Sequence, residues 1–306
     1  MERTETLDPD ESFRVDKAQV RAAFDRSAPD YDKVAVLQHE VGRRLLDRLD
    51  LIRLDPAVVF DVGAGTGRLS AALGLRYRAA RVISFDLSPR MLRLARRRAG
   101  FFNVLRRRRG FVCADAEHLP CADASADVVV SNLVLQWCND IDGVLAEFRR
   151  VLRPGGVLMF TTFGPDTLRE LRASWNGIDG RTHVNRFFDM HDLGDALMRV
   201  GLHEPVMDRE DFTLTYPDVA GLMRDLKALG AHNSMLGRPR GLTGRGRLAR
   251  VIAAYERFRR EGRLPASYEV IYGHCWSGPE PAPRQPQQGG TTVTVPLSQL
   301  ERKRPR

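Results

Sequence analysis

The segment VVFDVGAGTGRLS, residues 58–70, decides how the rest of the chain is interpreted. Its apolar, β-branched start predicts a buried strand, the glycines at 63, 65 and 67 predict a tight loop, and the end predicts a helix. Such a loop lies where α/β folds bind nucleotides. The dinucleotide pattern G-x-G-x-x-G needs a glycine where this chain has Arg68, and the loop lacks the G-K-[ST] of a P-loop. The segment therefore predicts a nucleotide-type ligand that places no pyrophosphate on the loop.

The flanking sequence alternates apolar runs with helical patterns. Runs rich in β-branched residues recur at 57–63, 81–87, 110–116, 126–135 and 155–163. Near-continuous apolar strands that alternate with helices are typical of a parallel sheet covered on both faces. We predict an α/β fold, a Rossmann-like and mostly parallel seven-stranded sheet with helices on both faces.

The C-terminal half adds two strands at 206–216 and 267–276, with a helical insertion at about 217–262 between them. A long insertion of this kind commonly makes a lid over a site. The alternative, which the sequence leaves open, is that the insertion only packs on the sheet edge.

Composition limits the class of protein. The chain has 306 residues, 43% of them hydrophobic and 28% charged, as in a globular domain with a sizeable core. We expect one domain over 15–277 between two disordered tails, an acidic one at 1–14 and a Pro/Gln-rich basic one at 278–306. No apolar run reaches the ~18 residues of a membrane span, and the acidic N-terminus resembles no secretory signal. We therefore expect a cytoplasmic protein without a membrane partner.

Charge and cysteine content limit the kinds of partner and metal site that are expected. The net charge of +9 favours an acidic partner, which could be a nucleic acid, an anionic membrane or an acidic protein. The four cysteines form no C-x-x-C pair, and no His/Cys cluster has zinc spacing, so no metal site is predicted.

Polar residues at the predicted strand ends strengthen the ligand hypothesis. Asp86 closes the second strand, 21 residues after Gly65, where a carboxylate can accept hydrogen bonds from both hydroxyls of a ribose. Asp61 is expected mainly to brace the glycine loop.

The loop and strand ends together resemble class I S-adenosylmethionine-dependent methyltransferases. This resemblance implies S-adenosylmethionine as methyl donor, with its adenine beside the third strand and its methionine moiety beside the fourth. The donor-binding residues that it implies are Asp61, Gly63, Gly65, Gly67, Asp86, Leu87, Asp115, Ala116, Asn132 and Leu133.

More specific segments resemble the malonyl-acyl carrier protein O-methyltransferases of biotin synthesis. The resemblance covers about residues 15–277. It rests on VRAAFDRSAPDYD (20–32), SNLVLQWCND (131–140), GPDTLRELRASW (164–175), HVNRFFDMHDLGDAL (183–197), LKALGAHN (226–233) and LPASYEVIYGHCW (264–276). It implies methyl transfer to the free carboxylate of malonyl on acyl carrier protein, which gives a methyl ester.

The chemistry of that reaction needs no catalytic base, because a malonyl carboxylate with a pKa near or below about 4 is already an anion at neutral pH. Tyr31 and Trp137 are candidates for an aromatic wall over the sulfonium, although either residue could simply be part of the core. Possible donors to the malonyl carboxylate, each of which could equally be a structural contact, are Arg149, His183, Asn185 and Arg186.

The stretch from Arg93 to Phe111 contains eight arginines and no acid. It is either a solvated surface or the docking surface for acyl carrier protein, a small acidic partner. Nucleic acid is not expected as a partner. The competing functions are a related fold that modifies a protein arginine, a methyltransferase for a nucleic acid or a small metabolite, and a non-enzymatic assembly protein.

Overall fold

One seven-stranded sheet organises the chain. The computed structural model describes residues 13–106, 108–178, 183–185, 187–231, 233–238 and 244–278. The strands are β1 (Val58–Val62), β2 (Arg81–Asp86), β3 (Arg109–Cys113), β4 (Ala126–Asn132), β5 (Leu152–Phe163), β6 (His203–Tyr216) and β7 (Leu264–Trp276). Their order in the sheet is β3–β2–β1–β4–β5–β7–β6, with β1 to β5 parallel and β7 antiparallel to both of its neighbours. The predicted α/β class with a mostly parallel seven-stranded sheet is confirmed.

Helices precede the sheet and connect its strands. They are α1 (Lys17–Ser27), α2 (Tyr31–Val34), α3 (Val36–Arg48), α4 (Arg68–Arg76), α5 (Pro89–Ala99), α6 (Phe101–Leu105), α7 (Ile141–Val151), α8 (Arg169–Asn176), α9 (Met190–Arg199), α10 (Val219–Ala228) and α11 (Arg245–Glu256). Short polar side chains begin several of them. Ser88 accepts from the Met91 N–H at 3.1 Å at the start of α5, and Asp140 accepts from the Gly143 N–H at 2.8 Å at the start of α7.

The central strands of the sheet are buried on both faces. Successive residues of a strand point to opposite faces, so Val128 and Val130 of β4 pack on one side with Leu73 of α4. Val129 packs on the other side with Leu145 of α7. Because both faces are covered, the strands need apolar residues at nearly every position.

The segment after β5 differs from the prediction. The helical pattern of GPDTLRELRASW, residues 164–175, predicts a helix from Gly164 onward, whereas α8 begins only at Arg169. The N–H of Gly164 donates to the carbonyl of Glu269 at 2.9 Å, and that of Leu168 donates to Ser267 at 2.7 Å. The bond from Leu168 keeps the chain out of a helical path, because in a helix from Gly164 the same N–H would donate to the carbonyl of Gly164.

The helical insertion between β6 and β7 packs beside the sheet. Helix α10 contacts β6 and α2, and α11 contacts α8. The insertion thus contacts the edge strand and also the N-terminal helix α2, so it does more than pack on the sheet edge.

Hydrogen bonds reach both predicted tails. The N–H of Leu236 donates to the carbonyl of Arg14 at 2.8 Å, and the N–H of Gly155 donates to Gly278 at 2.9 Å. The rest of the two tails, 1–12 and 279–306, lies outside the described residues. None of the helices in the described ranges is long and apolar enough to cross a bilayer.

Candidate active site

A cavity of about 620 Å³ lies at the carboxyl ends of β1, β2 and β4. Most of the residues predicted to bind a donor, and both predicted aromatic residues, line it together. These residues are Tyr31, Asp61, Gly63, Gly65, Asp86, Leu87, Asp115, Asn132, Leu133 and Trp137. Gly67 instead lies against Ala95 of α5, and Ala116 is buried in the core with Leu119. We call this space the donor cavity.

The glycine loop is tied to the end of β2. The N–H groups of Gly63 and Ala64 donate to the carbonyl of Phe85 at 2.8 and 2.9 Å. Gly63 has a φ of +78°, and a Cβ there would lie 2.0 Å from a methyl carbon of Val134. Only glycine fits this position, because the left-handed backbone and the close approach both exclude a side chain.

Asp86 holds the same loop and faces the donor cavity. Its Oδ2 accepts from the N–H of Gly65 at 2.8 Å, and its Oδ1 accepts from the N–H of Ser88 at 2.7 Å. Burial raises the pKa of the carboxyl to about 6, with a smaller contribution from the charge of Asp25. A carboxylate oxygen can accept more than one hydrogen bond, so Asp86 keeps capacity for a ligand in the cavity.

Asp61 is almost fully buried, with 1% of its surface exposed. It accepts a hydrogen bond from the Ser70 hydroxyl on α4, the helix after the loop, rather than from the loop backbone that the sequence analysis expected it to brace. Its Oδ1 has no hydrogen-bond partner within the described part of the chain. Burial raises the pKa of Asp61 to about 7, and the nearby Asp86 adds to the rise. A cationic ligand group would satisfy this oxygen.

The N-terminal helices cover the donor cavity. Lys17, Val20 and Phe24 of α1 and His39 of α3 line it, whereas the region after α10 contributes Leu229 and Ala231. From the N-terminal segment the sequence predicts only Tyr31 at this cavity, so the cover formed by α1 and α3 is not among the predictions.

Polar contacts fasten this N-terminal cover to the strand ends. Lys17 pairs with Asp115 at 2.8 Å and with Glu117 at 3.1 Å. Farther along, Asp32 accepts from the Thr66 hydroxyl at 2.6 Å and pairs with Arg98. No local pattern in the sequence predicts these pairs, because the partners are 98 and 34 positions apart.

Three aromatic rings form one wall of the donor cavity. Phe24 lies edge-on to Trp137, with 5.4 Å between ring centroids, and 6.4 Å from Tyr31. Burial raises the pKa of Tyr31 well above its usual value, and the charges of Asp86 and Asp32 act in the same direction. Tyr31 is therefore a neutral phenol at neutral pH.

Asn132 is fixed by its neighbours at the end of β4. Its side-chain N–H donates to the carbonyl of Gln38 at 3.1 Å, and its Oδ1 accepts from the Thr161 hydroxyl at 2.8 Å. The next residue, Leu133, has a φ of +56°. This strained turn directs the chain around the cavity wall.

The predicted acceptor-binding residues lie elsewhere. His183 and Asn185 line a second cavity of about 1,020 Å³, and Arg186 lies outside the described residues. Arg149 is exposed and packs over Gly201, away from both cavities. The prediction for Arg149 was wrong because a helix that precedes a parallel strand ends at the amino edge of the sheet, opposite the ligand edge.

Only part of the arginine-rich stretch at 93–111 is exposed to solvent. Burial and the charge of Arg108 lower the pKa of Arg109, whose guanidinium fills the space above Gly74. Arg106 and Arg108 are exposed, and Arg107 lies outside the described residues. Arg109 is therefore half-buried, with its guanidinium against α4.

The chain is similar to known methyltransferases. Residues 60–160 match the family described as a methyltransferase domain. The malonyl-[acyl-carrier protein] O-methyltransferase of Methylovorus sp. (strain MP688) is 55% identical over 273 residues, which covers 87% of this chain and 90% of the relative. The protein of the same name from Laribacter hongkongensis is 54% identical, and the alignment covers 92% of this chain and 96% of that relative.

Solved structures agree with the fold. The YcgJ protein of Bacillus subtilis has a TM-score of 0.54 at 16% identity, covering 79% of this chain and 99% of that one. A putative methyltransferase from Bacillus halodurans C-125 has a TM-score of 0.53 at 16% identity, and the match covers 78% of this chain and 98% of that one. At these identities the likeness concerns the fold alone.

Proposed function

This chain belongs to the malonyl-[acyl-carrier protein] O-methyltransferase family, and we propose that it transfers a methyl group from S-adenosylmethionine to the free carboxylate of malonyl on an acyl carrier protein. The observation that carries the proposal is the donor cavity. It brings a buried carboxylate, a half-buried one and an aromatic wall to the carboxyl ends of the strands of a methyltransferase fold.

The residues of the cavity fit the proposed donor. The Oδ1 of Asp61, which lacks a partner among the described residues, suits the ammonium group of the methionine moiety. Asp86 suits the ribose hydroxyls, and Asp115 lies where the adenine is expected. The rings of Tyr31 and Trp137 line the cavity, and an aromatic π-face attracts a cation such as a sulfonium.

The donor supplies an electrophilic methyl group on a sulfonium. An oxygen of the malonyl carboxylate forms the new bond to the methyl carbon as the carbon–sulfur bond breaks, which leaves a methyl ester and a neutral thioether. The protein contributes by aligning the two reactants. In well-oriented systems such alignment lowers the activation barrier by roughly 7–11 kcal/mol. Because the step neutralises two charges, a site that excludes water favours it.

The product explains why such a step is useful. A free carboxylate is costly to bury in the apolar pockets that receive growing acyl chains. Its methyl ester has no charge, so the chain can be elongated toward the pimeloyl unit of biotin. We place the reaction in the cytoplasm, together with the carrier protein.

Turnover should depend little on pH. With donor and acceptor saturating, we expect the single-turnover rate to stay nearly flat from about pH 6 to 8, because the acceptor carboxylate is ionised throughout this range. Rapid-quench measurements across the range provide the check. A steep loss below pH 7 under these conditions would reveal an essential base and contradict the base-free step.

A direct assay distinguishes the acceptors. Purified protein is incubated with methyl-labelled S-adenosylmethionine and, in separate reactions, malonyl-acyl carrier protein, free malonate, an arginine-containing protein or RNA. We expect label on malonyl-acyl carrier protein in a form that mild base releases, as a methyl ester requires. Label that resists base, or that goes to RNA or to arginine, would support a competing function instead.

A further inference from the structure

The second cavity, of about 1,020 Å³, is larger than the donor cavity and has a mixed lining. Trp175 stacks on His183, with ring centroids 3.5 Å apart and planes within 9°. Asn185 is buried beside them and accepts from the N–H of Ser234 at 3.4 Å. Leu171 and Phe187 supply apolar surface. This lining suits a ligand that is partly apolar and also carries amide groups.

The two cavities share a wall. Helix α1 separates them, with Val20 and Phe24 on the donor side and Ala23 and Ser27 on the other. The separation follows from helical geometry, since residues four apart lie on one face. Ala231 lines both cavities. The two cavities therefore adjoin at Ala231.

The mouth of the second cavity is basic. Arg26 on α1 and Arg224 and Lys227 on α10 are exposed and line it. None of the three has a carboxylate within 4.0 Å among the described residues. The acid at this mouth, Asp30, is paired with Lys33 at 2.6 Å. Within the described part of the chain, the three exposed cations therefore have no carboxylate that compensates their charge.

We propose that the second cavity is the channel through which the prosthetic arm of the carrier protein brings malonyl to the donor, with the acidic carrier docked on Arg26, Arg224 and Lys227. This inference rests on the proposed function. The arm of an acyl carrier protein is a flexible chain with amide groups, a thioester and a phosphate at its base. Amide-type and apolar groups line the channel, and cations stand where the phosphate and the acidic carrier would lie.

The competing docking surface is the arginine stretch at 93–111. The second-cavity mouth is favoured because its cations line a cavity that adjoins the donor cavity. By contrast, Arg106 and Arg108 line neither cavity.

Charge reversal separates the two surfaces. The double variant Arg224→Glu/Lys227→Glu should raise the KM for malonyl-acyl carrier protein about tenfold or more at low salt, because it removes attraction that speeds association. The increase should shrink at high salt. Turnover at saturation and the Kd for S-adenosylmethionine should stay at the parent values. The matched control is Arg106→Glu/Arg108→Glu, which changes the charge equally and should leave the KM close to that of the parent.

A parent-like KM in the Arg224→Glu/Lys227→Glu variant, or an equal rise in the control, would overturn the inference. Failure of the proposed function looks different, since the parent protein itself would then transfer no methyl group to malonyl-acyl carrier protein.

Filling the channel tests its interior. Met223 lines the second cavity, and Met198 is 59% exposed on α9, outside both cavities. Met223→Trp should lower kcat/KM for malonyl-acyl carrier protein about tenfold, since a misplaced acceptor loses the benefit of orientation, with an unchanged donor Kd. Met198→Trp, the same replacement at the surface, should behave like the parent. Equal kcat/KM values in the two variants would show that the arm does not use this channel.

Discussion

Replacing Gly67 with valine is expected to remove a large part of the stability of the protein. Gly67 has a φ of +78°, and this left-handed backbone costs a side-chain-bearing residue about 1–2 kcal/mol. A Cβ would also lie 2.6 Å from the Cβ and 2.8 Å from the Cα of Ala95. Because that Cα belongs to the backbone of α5, the helix must shift, and overpacking of this kind costs about 1–3 kcal/mol. Urea unfolding followed by circular dichroism measures the loss.

The two causes can be separated with a second glycine. Gly262 has a φ of +75° and no atom within 4 Å of a Cβ built on it. Gly262→Val should therefore lose about 1–2 kcal/mol from backbone strain alone. The extra loss in Gly67→Val reports the contact with α5. Equal losses in the two variants would contradict the contribution of that contact.

The glycine loop and strand ends could be predicted because local rules determine them. The apolar runs mark the strands, and the carboxyl ends of parallel strands meet at one edge, so Asp86 and Asn132 had to lie near the loop. Gly63, Gly65 and Gly67 all have positive φ values, as a tight turn of glycines requires. The same topology places Arg149 at the opposite edge, so that error could have been avoided.

The N-terminal cover of the donor cavity and the position of the second cavity could not be predicted from local sequence patterns. Lys17 and Asp115 are 98 positions apart, and Asp32 and Thr66 are 34 apart. No periodicity in the sequence reports such pairs, because they depend on how α1 to α3 fold back over the sheet. His183 was assigned to the malonyl carboxylate, but α1 and the segment around Ala231 place it in a separate cavity.

Asp86→Ala is expected to weaken S-adenosylmethionine binding roughly 10- to 150-fold, which corresponds to about 1.5–3 kcal/mol for a charge-assisted hydrogen bond. The side chain aligns the loop through the N–H groups of Gly65 and Ser88, and it faces the cavity where the ribose is expected. Its loss removes the acceptor and leaves two N–H groups unpaired. Calorimetric titration at pH 8, where Asp86 is ionised, gives the two dissociation constants.

A control variant tests whether the loss of donor affinity in Asp86→Ala is specific to the donor cavity. Asp140→Ala also removes a carboxylate that accepts a backbone N–H, from Gly143 at 2.8 Å, but Asp140 lies outside the donor cavity. It should lower the melting temperature and leave the donor affinity unchanged.

Because burial raises the pKa of Asp86 to about 6, the carboxyl is protonated at pH 5 and loses its charge as an acceptor. Asp61, whose pKa burial raises to about 7, is present in both the parent and Asp86→Asn, so the comparison of the two proteins reports Asp86. The gap between the parent and Asp86→Asn, which is neutral at position 86 at every pH, should narrow as the pH drops through about 6. A gap of the same size at pH 5 and pH 8 would mean that Asp86 acts by shaping the loop, without an ionised contact to the donor.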